Sequence, residues 1–481
     1  MEFALSRSDI IGPLLLVLLA LFLAVPVLRG RRKEPPSLSD TIPFVSNTYQ
    51  YLTNMSYFMT RAKKALKQSN IVMFRLGPKK VYLLQGVQNI QSLFRPTSDL
   101  ESEGFMIMLF KNLWNMAPED IARFAADTSG RYMTRTHFSN RMADKYSDLF
   151  SAHLARQPSA MAESAVVSLV GPHIFELNPS FIQNFWSFDE IVLYLITGPS
   201  RWIKQLPWKL RDRFHAAVGR YLDAAWANFD WNSPAAESDW EEHFGSRFSR
   251  EVAKWFSDSG LSRQSARGFI MLIMSRCSLN SNTIPITTWA LYEPVKDPEI
   301  FKDVRAEVLQ AYEFDPLTRK ATIDAQKLIS LPLIQSVFAE TLRLHLSINL
   351  TREVNNPIVI EGYRIGKGAM LQALTQIAHY DEETWAADGH AASDFWAGRH
   401  LRYVRQPSNE PGKEANLVPE FSVAGKPGSF VPFGDGTGIC PGRAFAKQEV
   451  LLTLAMIVAR FDVKFVDWTK LDGSPSDRPG A

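Results

Sequence analysis

Cys440 is the side chain in this sequence best suited to bond a metal. It is one of two cysteines, the other being Cys277. It lies in the stretch Phe430 to Val450, FVPFGDGTGICPGRAFAKQEV, among Gly434, Gly436, Gly438 and Gly442. A ligating thiolate must be deprotonated and held still. Glycines let the backbone turn tightly and bring amide N–H groups close to sulfur. The helix expected after Gly442 points its N-terminus at Cys440, which favours negative charge there by about 0.3–1 kcal/mol. Zinc asks for more: the sequence has no C-x-x-C, no Cys–His pair and no second ligand nearby. A macrocycle brings four ligands and takes one from the protein, so this pattern suits haem iron.

Two further groupings can do chemistry. Glu340-Thr-Leu-Arg343 puts a carboxylate and a guanidinium at i and i+3 on one helical face. At a surface such a pair is worth little. Here Leu333, Val337, Leu342 and Leu344 make the helix apolar almost all round, so part of the pair is buried and needs more partners. The second grouping is Cys277 to Trp289, CSLNSNTIPITTW, where polar Ser281, Asn282 and Thr283 precede Pro285. Asn both donates and accepts hydrogen bonds. A proline inside a helix removes one i→i−4 bond and is expected to kink it, freeing a carbonyl.

The elements that must hold these groups are mostly helical. Ser98 to Gln310 reads as helix for much of its length, including Phe181 to Ile196 and Trp208 to Phe229. Leu331 to Leu346 and Arg443 to Phe461 are further helices. Ile71 to Gln85 reads as a hairpin around Gly77-Pro78-Lys79. Ile358 to Leu371 is β, and Val404 to Ser429, rich in Pro, Gly and charge, reads as a surface loop. The fold class is therefore mainly α with a small β region.

At 481 residues and 46% hydrophobic composition the chain is ordinary globular protein. A net charge of +3, with no basic stripe interleaved with aromatics, argues against nucleic acid as a partner. Two cysteines make no disulfide framework and point to a reducing compartment. Ile10 to Leu28 is an uncharged 19-residue run, long enough as a helix to cross the roughly 30 Å hydrocarbon core of a bilayer. Arg29, Arg31, Arg32 and Lys33 follow it directly, which predicts an uncleaved single-pass anchor with the bulk of the chain on the cytoplasmic side. Expected boundaries are residues 1–9 lumenal, 10–28 transmembrane, 29–45 a basic and proline-stiffened linker, and 46–481 the catalytic domain.

Phe433, Gly436, Cys440, Gly442 and Ala446 resemble the haem loop of cytochromes P450, F-x-x-G-x-x-x-C-x-G-x-x-x-A. Glu340 and Arg343 resemble that family's E-x-x-R pair, and Arg399 in DFWAGRHL lies where the arginine that joins the pair is expected. The resemblance implies a P450 fold, haem b with Cys440 as the iron's thiolate ligand, and a loop shaped by Phe433, Gly434, Gly436 and Gly442. It implies Arg352 as a partner of a haem propionate, and electrons from NADPH through a separate P450 reductase, with cytochrome b5 as a further donor. It implies an endoplasmic reticulum membrane location and monooxygenation of a lipophilic small molecule: a sterol, terpenoid or polyketide-like compound of fungal secondary metabolism.

Two departures from the family pattern bear on the reaction. Gly438 stands where a basic residue usually grips a propionate. Ser281 and Asn282 stand where an acid and a threonine usually manage protons and dioxygen. The N-T-x-P sequence Asn282 to Pro285 resembles the branch of sterol 7α- and 12α-hydroxylases and prostacyclin synthase, which contains both oxygenases and an isomerase. Asn282 and Thr283 are the candidate catalytic residues. The alternative to oxygenation is a reductase-independent isomerase or dehydratase acting on an already oxygenated or peroxide substrate.

Overall fold

The computed structural model describes residues 34–95, 98–101, 103–126, 140–153, 160–197, 201–274, 280–317, 320–406, 416–426, 428–434, 439–440, 442–469 and 474–476. The hairpin read from the sequence is its first sheet element. Strand β1 (Ile71–Leu76) pairs antiparallel with β2 (Lys79–Leu84), in register from Ile71↔Leu84 to Leu76↔Lys79. Gly77 closes the turn at φ +53°, a left-handed conformation that glycine adopts without a Cβ penalty. Helix α1 (Val87–Phe94) follows, then β3 (Leu100–Glu101). The sheet is completed from far along the chain by β4 (Asn349–Val354) and β5 (Met370–Leu374), in the order β1-β2-β5-β4-β3. Only β2 and β5 run parallel, Met370↔Val81 to Ala373↔Leu84. Buried Ile71, Tyr82, Leu84, Leu371 and Ala373 knit the two halves, so the β portions at either end of the sequence form one sheet.

The helical body surrounds α2 (Asn140–His153), α3 (Gln205–Asn228), α4 (Asn280–Val295), α5 (Pro298–Leu309), α6 (Pro332–His345) and α7 (Arg443–Arg460). Helix α7 packs against α2, α4, α5 and α6. Its Val450, Leu451, Leu454 and Val458 are buried with Ile286, Val304, Val308, Ile334 and Val337 in the largest core cluster. Each such side chain contributes about 1.5–3 kcal/mol. Helix α6 begins with Pro332, whose missing N–H costs nothing in the first turn. The Glu307 carboxylate of α5 accepts the next two amides, Leu333 N at 2.9 Å and Ile334 N at 2.7 Å, which caps α6 and fixes its start against α5.

Two elements differ from the sequence reading. Val404–Ser429 is not a loop throughout: β6 (Leu401–Gln406) and β7 (Asn416–Phe421) form an antiparallel hairpin. Its Pro and charge content misled because a two-stranded hairpin leaves each strand one open edge, where Pro419 needs no donor. Phe181–Ile196 is two helices, Phe181–Glu190 and Val192–Thr197, broken at Ile191. Pro285 lies inside helix α4, as the sequence places it.

Among the described residues no helix is long and apolar enough to cross a membrane. The expected anchor at residues 10–28 lies outside the described residues. The chain after it is fastened early. Met73 N donates to Pro36 O at 2.8 Å and Leu38 N donates to Met73 O at 2.9 Å, so residues 36–38 run beside β1.

Candidate active site

Cys440 stands just ahead of α7. Gly442 is the N-cap of that helix, as the spacing predicts. Cys440 N donates to Phe433 O at 2.8 Å, which closes the loop on itself. Gly434 turns the chain at φ +72°, a conformation that explains why glycine stands there. Burial pushes the Cys440 thiol above its ordinary pKa, while the amides of Gly442 and Arg443 and the Arg443 charge pull it down. The donors expected near sulfur are thus present. Gly436 and Gly438 lie outside the described residues.

Cys440 opens onto a cavity of about 500 Å³. Phe433, Gly434, Gly442, Ala446 and Val450 line it beside the cysteine. Helix α4 contributes Asn282, Thr283 and Ile286; α6 contributes Phe338 and Leu342; β4 contributes Asn349 to Arg352. The structure therefore brings Cys440, Phe433, Gly434, Gly442, Asn282, Thr283 and Arg352 to one cavity. Arg352 donates Nε–H to the carbonyl of Leu93 at 3.0 Å, and burial holds its guanidinium below its ordinary pKa.

Glu340, Arg343 and Arg399 form a separate buried network behind the cavity wall. Arg343 grips Glu340 with two parallel bonds of 2.8 Å, Nε to Oε2 and Nη2 to Oε1. Arg399 Nε donates to Glu340 Oε1 at 2.7 Å. Both arginines also donate to carbonyls: Arg343 to His379 and Ala392 at 2.5 and 2.6 Å, and Arg399 to Ala391 and Asp394 at 3.0 Å each and to Trp385. Burial works to raise the pKa of Glu340, but hydrogen bonds from Arg343 and His400, the Arg343 charge and the Arg399 bond hold it at about 2.

The network also positions the cysteine loop. Arg343 holds the backbone of His379, and the His379 ring accepts Val431 N–H at 3.4 Å, two residues before Phe433. An acceptor ring nitrogen requires a neutral imidazole. Burial, with the Arg343 charge beside it, lowers the His379 pKa to about 4.

Sequence reasoning missed two participants. His400 places Nε2 3.2 Å from Glu340 Oε2. Its signal was adjacency to Arg399. Glu449 is fully buried on α7, in QEVLLTLAMIV, where a lone acid in an apolar run was the available signal.

A cytochrome P450 family model matches residues 281–474. Over 505 aligned residues the chain is 41% identical to the cytochrome P450 monooxygenase calL of Penicillium decumbens, covering 96% of this chain and 92% of that protein. This chain is a cytochrome P450. It is 31% identical over 197 residues to cytochrome P450 7A1 of Rattus norvegicus, a distant likeness covering 39% of this chain and 37% of the relative, consistent with the N-T-x-P resemblance. Its fold matches a retinoic acid-bound cyanobacterial P450, CYP120A1, with TM-score 0.66 over 93% of this chain and 97% of that one, at 17% identity. As a P450 monooxygenase it is an oxidoreductase, and the family's cofactor is haem. The donor set fits that group: among the described residues Cys440 is the cysteine that reaches the cavity, two amides face its sulfur, and Arg352 supplies a cation on the same cavity.

Proposed function

We propose that Cys440 bonds the iron of haem b through its thiolate, and that the adjoining cavity is where a lipophilic small molecule is oxygenated. The observation that carries this reading is a cysteine sulfur opening onto a largely apolar cavity that also holds Asn282 and Thr283. Haem, when bound, supplies oxygen activation with O₂ and electrons. The chain does the rest. The amides of Gly442 and Arg443, with the Arg443 charge, would share the charge of a Cys440 thiolate that bound the haem iron, against the burial that favours the thiol. Phe433, Gly434 and, from the sequence, Gly436 shape the loop. Arg352 pairs with a propionate, a role made heavier by Gly438. Asn282 orients an oxygen of the substrate or a water, and Thr283 supports it.

Phe94, Ile286, Phe338, Leu342, Leu346 and Ile348 give the cavity apolar walls, which supports a sterol, terpenoid or polyketide-like substrate. The Penicillium relative, a P450 monooxygenase, supports a fungal monooxygenase, and we place the reaction in secondary metabolism. The anchor at residues 10–28 makes this a single-pass endoplasmic reticulum protein, with the domain of residues 46–481 on the cytoplasmic side. There it takes electrons from NADPH through P450 reductase, with cytochrome b5 as a second donor. Trp202, Ile203 and Leu206 are exposed large apolar side chains, as are Ile42, Val45 and Tyr49 after the anchor, and both groups suit a membrane surface.

Ser281 and Asn282 favour a second reading, rearrangement or dehydration of an already oxygenated substrate without reductase. Turnover by the purified enzyme with and without NADPH and reductase separates the two. Oxygenation requires both; product formed without reductant supports rearrangement.

A further inference from the structure

A second cavity, of about 220 Å³, shares no lining residue with the one that Cys440 opens onto. Side chains of α3, of the helix Arg247–Asp258 and of the helix Arg263–Met274 enclose it. The residues explain why a space remains there. Leu222 and Trp226 lie four apart on one face of α3, and Ala253 and Phe256 three apart on one face of the second helix. Ala266 lies one turn after Arg263 on the third. Ala253 and Ala266 stop at Cβ among larger neighbours, so the helices meet around the space rather than filling it. The floor is apolar: Leu222, Ala253, Phe256, Leu261 and Ala266 are all buried.

The rim is charged. Asp223 of α3 faces Arg267 Nη2 at 2.6 Å and, at longer range, Arg263 Nη1 at 3.6 Å. Two guanidiniums thus meet one carboxylate, and the rim keeps a positive charge in excess. The charges beside it do not alter that balance, since Arg123 offsets Asp120 and Lys254 pairs with Asp258 at 2.6 Å. Arg267 is held in place. A Cβ on Gly219 of α3 would lie 3.0–3.1 Å from its Nε, Cδ and Cζ, so the arginine lies flat where glycine leaves room. Its Nη2 is spent on Asp223 and its Nε is buried without a partner among the described residues, which leaves Nη1 to meet a ligand.

An apolar cavity under a cationic rim is complementary to an apolar body that carries one anionic group. An apolar cavity of about 150 Å³ takes a benzene ring, so this one has room for one or two rings. Guanidiniums favour carboxylates, which accept parallel N–H bonds. We propose that this cavity is a second ligand site, which takes a small aromatic carboxylate with its rings beside Trp226 and Phe256 and its carboxylate on Arg263 and Arg267. The site stands apart from Cys440, and the proposal does not rest on the reading of the first cavity.

The experiment is isothermal titration calorimetry of the full-length, haem-loaded protein with benzoate and 1-naphthoate, and with 1-naphthalenemethanol as the uncharged probe. Wild type should bind one of the two acids, more tightly than the alcohol. Arg263→Gln and Arg267→Gln should each weaken the acid about tenfold, the loss expected for a charged hydrogen bond. Ala253→Leu and Ala266→Leu fill the cavity and should abolish binding, with circular dichroism confirming that each variant is folded. Cys440→Ser should bind the acid as wild type does while losing the thiolate–haem spectrum, so this inference and the functional reading fail separately. No binding of either acid by wild type, an alcohol bound as tightly as the acid, or undiminished binding in folded Ala253→Leu and Ala266→Leu overturns the proposal.

Discussion

Replacing Glu340 by Gln removes one negative charge from a site where it is the shared acceptor. Its two oxygens receive Arg343 Nε and Nη2 at 2.8 Å each, Arg399 Nε at 2.7 Å, His400 Nε2 at 3.2 Å and Trp396 N at 3.3 Å. Glutamine keeps the shape but points an NH₂ group at these donors and leaves two buried guanidiniums uncompensated. Breaking a buried pair from one side costs about 3–5 kcal/mol. The pKa gives an independent figure. Glu340 lies at about 2 against an ordinary 4.5, and at about 1.4 kcal/mol per unit that difference is worth about 3 kcal/mol. Either figure is a large part of the roughly 5–15 kcal/mol of a folded protein. Urea unfolding followed by circular dichroism should show the unfolding free energy falling by that amount, with a lower midpoint at unchanged slope. As a control, Lys79→Gln removes the exposed pair with Glu353 at 3.5 Å and should cost less than about 1 kcal/mol. A cost for Glu340→Gln as small as the control's would refute the view that this network holds the fold.

Acid titration of stability should show two losses. His379 is neutral in the fold with a pKa of about 4, so stability present above pH 6.5 falls as the pH drops from 6.5 toward 4. Glu340 is depressed to about 2, so its contribution is present above pH 4.5 and is lost as the pH falls through 2. His379→Phe should reduce the first loss, to which buried His400 and His215 also contribute, and leave the second, and an unchanged profile would count against the assignment. Asn282→Ala should retain haem yet form less product and release more peroxide; unchanged turnover would assign Asn282 to capping the helix backbone. Arg352→Ala should shed haem on gel filtration more readily than wild type, and equal retention would remove Arg352 from propionate binding.

The parts of the fold legible in the sequence were those whose local pattern and tertiary fate agree. The β1–β2 hairpin announced itself through Gly77-Pro78 between apolar runs, and α6 and α7 fell within a residue or two of their expected ends. The pairing of β2 with β5 was not legible, because nothing in a short strand names a partner almost 300 residues away. The β6–β7 hairpin was hidden by composition, since an edge strand tolerates the proline and charge that usually mark loops. At the site, spacing identified Cys440, Glu340, Arg343 and Arg399 because each belongs to a motif. His400 and Glu449 belong to no motif that was read, and their burial is something that only the packing of α6 and α7 reveals.

The central claim is that the sulfur of Cys440 is the iron's protein ligand. The carbon-monoxide difference spectrum of the reduced, haem-reconstituted protein tests it most directly. Wild type should show the band characteristic of thiolate-ligated haem, and Cys440→Ser should lose it while folding as wild type does. A serine variant that keeps that band, or a folded wild-type protein that stays colourless with haem supplied, contradicts the account.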